Sequence, residues 1–184
     1  EAQTIEVGFK MDLLDATLRV NGAIFTSDYT DMQVTYRGPF RAPPAMSGVA
    51  PFITNAGKAS IDGAELEVTW APTLEFRLDA SVGYLDATID ELENLPLAII
   101  PPGLVAGNAL PFAPELKGNV GIQYAADAGS VVITPRVDAS YQDTTYFDAI
   151  NTPEIAQLDS VTTVNASISF APDRGPWKVS LGVN

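Results

Sequence analysis

Side chains alternate between apolar and polar along most of this chain, and no other pattern in it restricts the fold as tightly. The segment 74–84 is the clearest case: Leu74, Phe76, Leu78, Ala80, Val82 and Tyr84 fall in one phase, and Glu75, Arg77, Asp79, Ser81 and Gly83 in the other. A period of two puts these sets on opposite faces of an extended strand, whereas a helix would scatter both around its axis. The same pattern recurs at 5–11, 16–24, 64–70, 116–124, 131–141, 164–170 and 177–183, which makes eight strands. No position on their apolar faces carries a charge.

The connections alternate as well. Those at 12–15, 71–73, 125–128 and 171–176 are short, while those at about 36–56, 91–114 and 148–159 are long. The fold expected is therefore all-β: an antiparallel up-and-down meander of about eight strands, with tight turns at one end and long loops at the other. Transmembrane β-barrels have that asymmetry. A soluble β-sandwich alternates its faces too, so the period alone leaves both open.

Two features lean toward lipid. Trp70, Phe76, Tyr124, Phe170 and Trp177 gather on the apolar face where strands meet the short turns. Amphipathic rings favour the headgroup level, so these five are the expected interfacial girdle; in a sandwich they would cap a core. The strands beginning at Ala16, Leu74 and Val131 also carry about 9–11 alternating residues, enough for a tilted strand to cross a bilayer. Each is expected to continue past the apolar band, as FTSDYTD (25–31), LDATID (85–90) and QDTTYF (142–147). These acidic, hydroxyl-rich stretches suit strands that have risen into water and keep pairing there.

Composition removes several function classes. The chain has 184 residues with neither cysteine nor histidine, which excludes disulfides, thiol nucleophiles, Ser-His-Asp triads and the usual zinc sites. Twenty-three acidic against ten basic residues give a net charge of −13, which speaks against a nucleic-acid partner. No run of 18 apolar residues is present, and the opening EAQTIEVGFK lacks the basic and apolar regions of a signal peptide.

No residue is expected to be catalytic, and no cofactor or metal is implied. Asp28 and Asp31 lack the alternating ligands, turn glycine and downstream glutamate of a calcium loop. Glu65 and Glu67 share a strand face, and Arg77 and Asp79 share the matching face of the next strand. With Arg19, Lys117, Arg136 and Asp138 they are expected to form a ladder of charge pairs lining a barrel lumen, rather than an acid–base pair. Asn165-Ala166-Ser167 fits a glycosylation triplet but sits within a strand. Ligand contact belongs on the long loops, where Arg37, Phe40 and Arg41 combine cations with an aromatic ring. The same arginines could equally meet lipopolysaccharide phosphates. Pro96, Pro101, Pro102 and Pro111 are expected to stiffen the loop at 91–114.

Several of these stretches, in this order, resemble the C-terminal half of the barrel of TonB-dependent outer-membrane receptors. An E-x-G-x-K strand is matched by Glu6, Gly8 and Lys10, followed by a tight turn and a long strand ending in DYTD. An N-x-G-x-A-x-x-x-G-x-E-x-E strand is matched by Asn55, Gly57, Ala59, Gly63, Glu65 and Glu67. LDASVGYLDA (78–87) and LPFAPE (110–115) complete the likeness, which covers essentially the whole chain. The resemblance implies a 22-stranded barrel in a Gram-negative outer membrane, importing a scarce nutrient such as a ferric siderophore. It implies outer-membrane lipid and lipopolysaccharide as surroundings, and a plug domain and TonB (through a TonB box) as partners. On this reading residues 1–184 are one barrel segment, truncated at both ends and without its plug. A free-standing eight-stranded barrel with a structural or adhesive role, and a soluble sandwich that binds a ligand, are the alternatives.

Overall fold

A computed structural model describes residues 1–42, 46–92, 103–153 and 155–184; at 34–42, 46, 47, 49–52 and 54–56 it describes the backbone alone. Among these residues every regular element is a strand: β1 (Ala2–Leu13), β2 (Leu18–Ala42), β3 (Met46–Trp70), β4 (Phe76–Glu91), β5 (Leu116–Tyr124), β6 (Ala126–Asp127), β7 (Val131–Gln142), β8 (Thr145–Tyr146), β9 (Gln157–Leu158), β10 (Val161–Pro172) and β11 (Val179–Val183). All eight expected strands are present. They form one antiparallel sheet in the order β1-β2-β3-β4-β5-β7-β10-β11, with β6 beside β7 and a separate β8-β9 pair.

Among the described residues β1 pairs with β2 and β11 with β10, and β1 and β11 do not pair with each other. That differs from a closed eight-stranded barrel. A sandwich is also not what forms. The apolar face stays uncovered, with Ile24 at 63%, Val137 at 50% and Ile122 at 46% exposure, and no second sheet lies over it.

Register aligns the apolar rows. Phe76 opposes Tyr124, Leu78 opposes Ile122 and Ala80 opposes Val120, while Val68 opposes both Ala80 and Val20. From Phe76 to Tyr84 the row spans nine residues, roughly 30 Å along the strand. A tilt of about 40° reduces that to roughly 23 Å, close to the ~25 Å apolar band of an outer-membrane barrel.

Local chemistry shapes the ends. In the β1–β2 turn Leu14, Asp15 and Ala16 all take positive φ (51°, 55° and 64°), a strained run for residues with a β-carbon. Thr17 closes this turn by donating both its N–H and its hydroxyl to the Leu14 carbonyl, at 3.1 and 2.7 Å. In the next short turn the Thr73 hydroxyl accepts the amides of Glu75 and Phe76, and its bond to the Glu75 carboxyl holds that group below the usual carboxylate range. Pro135 explains why β5 and β6 are separate strands. Their pairings with β7 keep one register, from Gln123↔Arg136 to Ala126↔Ile133, and are interrupted opposite Pro135, which has no N–H to donate.

Three sequence expectations change. The stretch 36–56 is not a loop: β2 and β3 continue as a two-stranded ribbon to Ala42↔Met46. Pro39 and Pro51 lie within this ribbon, opposite Val49 and Arg37. Asp31 is a bulge residue with φ 56°, which shifts the phase and turns Met32 toward Gly57. QDTTYF does not prolong its strand; β7 ends at Gln142, and Thr145–Tyr146 pair instead with Gln157–Leu158. Trp177 precedes its strand, which begins at Val179.

Candidate functional site

The polar face carries the chemistry. Asp79 on β4 accepts Arg77 through Nε at 2.9 Å and Nη2 at 2.7 Å, and the Thr69 hydroxyl of β3 at 3.2 Å. Arg136 on β7 sits 3.6 Å from the same carboxylate, donates to Asp138 at 2.9 and 2.5 Å, and reaches Gln123 of β5 at 3.4 Å. Arg77, Asp79, Arg136 and Asp138, with Thr69 and Gln123, thus form one network across four strands. Gly121 lies at its crossing point, where a β-carbon would displace the ends of the Arg136 and Asp138 side chains.

The other polar residues do not join it. Arg19 pairs with Asp12, directly opposite on β1, at 2.8 Å. Glu67 accepts the Asn21 amide at 3.3 Å. Glu65 and Lys117 line a hollow of about 670 Å³ with Glu67, Ser81, Asn119 and Phe112, and neither has a side-chain partner among the described residues. This face offers a polar wall of fixed donors and acceptors.

Replacing Asp79 with asparagine is expected to destabilise the protein by about 1 kcal/mol in urea titrations of the detergent-solubilised chain. That is below the ~1.5–3 kcal/mol of a charged hydrogen bond, because Arg77 stays half exposed to water. A double-mutant cycle with Arg136→Gln should show coupling; strict additivity would mean the 3.6 Å contact contributes nothing.

On the opposite face, Trp70 and Phe76 meet edge to face with centroids 5.7 Å apart, and Tyr124 opposes Phe76. Phe170 lies at the same end of β10, opposite Ile133 and Val179. Tyr84 and Tyr141 mark the other end of the apolar rows; the period put Tyr84 on the apolar face, but neither was assigned to an aromatic girdle. Two residues beyond Tyr84 stands Asp86, directly opposite Asp62, with Asp28 beside them on β2. Like charges placed opposite each other repel, and water is the medium that makes this tolerable.

At the long-loop end the polar face acquires a small core. Ile89, Leu104 and Ala149 are buried together, with Met32, Leu92, Leu110 and Ile150 packed around them. Sequence reading missed this cluster, which joins residues far apart in the chain and shows no periodicity. The backbone at Arg37, Phe40 and Arg41 pairs with Pro51, Gly48 and Ser47, and their side chains lie outside the described residues. Pro96, Pro101 and Pro102 lie outside them too.

An open antiparallel meander, uncharged on one face for the depth of a bilayer and hydrogen-bonded on the other, defines the wall of a transmembrane β-barrel. The family model "TonB dependent receptor-like, beta-barrel" matches residues 1–184, and the chain belongs to that family. The pesticin receptor of Yersinia pestis is 28% identical over 148 residues, covering 79% of this chain and 19% of the relative. The probable TonB-dependent siderophore receptor PiuA of Acinetobacter baumannii is 25% identical over 172 residues, 91% of this chain and 21% of PiuA. The crystal structure of PiuA superposes with a TM-score of 0.73 at 22% identity, covering 98% of this chain and 23% of that one. The unliganded ferric citrate transporter FecA gives 0.66 at 21%, covering 98% and 25%. These two likenesses show the fold, and this chain spans only about a fifth of the length of the curated relatives it matches.

Proposed function

We propose that this chain is the barrel-wall part of an outer-membrane receptor that imports a scarce nutrient, a ferric siderophore being the class its relatives favour. One observation carries the membrane reading: the uncharged outward rows end together at Asp62 and Asp86, a cross-strand pair, with Asp28 two residues from the same row. Below that level the outer face meets hydrocarbon, with Trp70, Phe76, Tyr124, Phe170 and Trp177 at the periplasmic headgroups. Above it the strands stand in water and meet lipopolysaccharide. The face bearing Arg19, Glu65, Glu67, Arg77, Asp79, Lys117, Arg136 and Asp138 lines the lumen, where a plug domain seats and TonB acts on that plug. The ribbon carrying Arg37, Phe40 and Arg41 reaches farthest outward, which supports a first contact with solute there. The reading assigns no catalytic step to this chain.

Uptake of radiolabelled iron tests it. Cells lacking their own receptors and expressing the full-length protein should accumulate iron from at least one ferric siderophore, and lose that uptake when TonB is removed. Accumulation no greater than in vector controls across hydroxamate, catecholate and citrate complexes would sink the siderophore class.

A further inference from the structure

The two long segments above the sheet, 103–112 and 145–158, are bound to each other as closely as to the strands. The first extends the sheet beside β4: Ile89 N–H donates to the Asn108 carbonyl at 2.9 Å, Gly107 N–H to Ile89 at 2.7 Å, and Leu110 N–H to Ala87 at 2.8 Å. The second is joined to the first by an amide used as a strand would use its backbone. Asn151 Oδ1 accepts Ala109 N–H at 2.7 Å, and Asn151 Nδ2 donates to the Ala109 carbonyl at 2.9 Å. Asn108 reciprocates, donating to the carbonyls of Gly103 at 2.8 Å and Ala149 at 2.9 Å. Phe112 N–H donates to the Tyr146 carbonyl at 2.8 Å, and the rings of Phe112 and Phe147 lie 5.6 Å apart.

Packing agrees with the bonding. Leu104 (2% exposed) and Ala149 (1%) come from different segments and bury each other against Ile89 (0%). Gly103, with φ +99°, passes so close to Ile150 that a β-carbon would lie 2.8 Å from its Cγ2. Asn151 itself holds φ 56°, a conformation asparagine tolerates better than most residues.

We propose that these two segments are one folded unit anchored on β4, so that they open and close together and neither works as an independent lid. Asn151 is the clamp. The inference does not depend on what the protein transports.

Hydrogen exchange of the intact protein in detergent micelles tests it. Asn151→Gly keeps the left-handed backbone accessible and removes only the amide. It should speed exchange on the order of tenfold or more in both 103–112 and 145–158, leaving 76–84 as in the parent. Asn151→Asp, which keeps the acceptor and loses the donor, should fall between. Faster exchange in 145–158 with 103–112 unchanged would overturn the proposal. The unsubstituted protein gives a second test that needs no variant to assemble. The amides of Ile89, Gly107, Leu110, Phe112 and Phe147 should show protection within about tenfold of one another. Two classes differing by more than that, divided between the segments, would also overturn it.

Discussion

Replacing Ala80 by arginine is expected to cost about 2–4 kcal/mol and to leave the protein largely unassembled in lipid vesicles. Ala80 occupies the middle of the outward row on β4, between Val68 and Val120, with three residues between it and either aromatic end. A guanidinium there would be desolvated, and the strand geometry gives it no short path to the headgroups. Asp86→Arg introduces the same group three outward positions higher, beside Asp62, and should be tolerated or slightly favourable. Heat-modifiable migration on gels, which separates folded from unfolded barrels, reads both variants. Equal assembly of the two would mean that this face does not meet hydrocarbon.

The second large effect is expected at Ile89, the most buried side chain of the loop core. Ile89→Ala should cost about 2–5 kcal/mol, the range for deleting buried methyl groups and leaving a cavity. The loss should be local, because Ile89 lies above the apolar band and the ladder from Phe76 to Tyr84 does not depend on it. Limited proteolysis should then cut within 103–112 and 145–158 while the sheet stays resistant. A drop in the whole barrel's urea midpoint equal to the local loss would show that the sheet and the loop unit unfold together.

The particular residues show why some of this was readable in advance. Which face Leu78 or Arg77 occupies depends only on the parity of its position, so eight strands and their two faces could be named from the chain. The bulge at Asp31, beside which Met32 packs on the loop core, was not readable, because a bulge is defined by two strands together. The ribbon at 36–42 and 46–56 was read as a loop because its prolines resemble loop breakers, and a ribbon is defined by the pairing of two strands.

The polar residues divide in the same way. That Arg19, Arg77 and Arg136 would need partners follows from their charge. Their choice among carboxylates does not: Arg19 takes Asp12 because register sets them opposite, while Asp79 gathers groups from three strands.

Amino-acid order alone determined the period, hence the faces, the strand count and the uncharged belt, because a strand's side-chain direction is a local property of the backbone. Tertiary structure decided the meeting of Arg136 with Asp79 and the joining of two distant loops through Asn151 and Ile89. Those rest on contacts between residues tens of positions apart, which the period of any one strand does not encode.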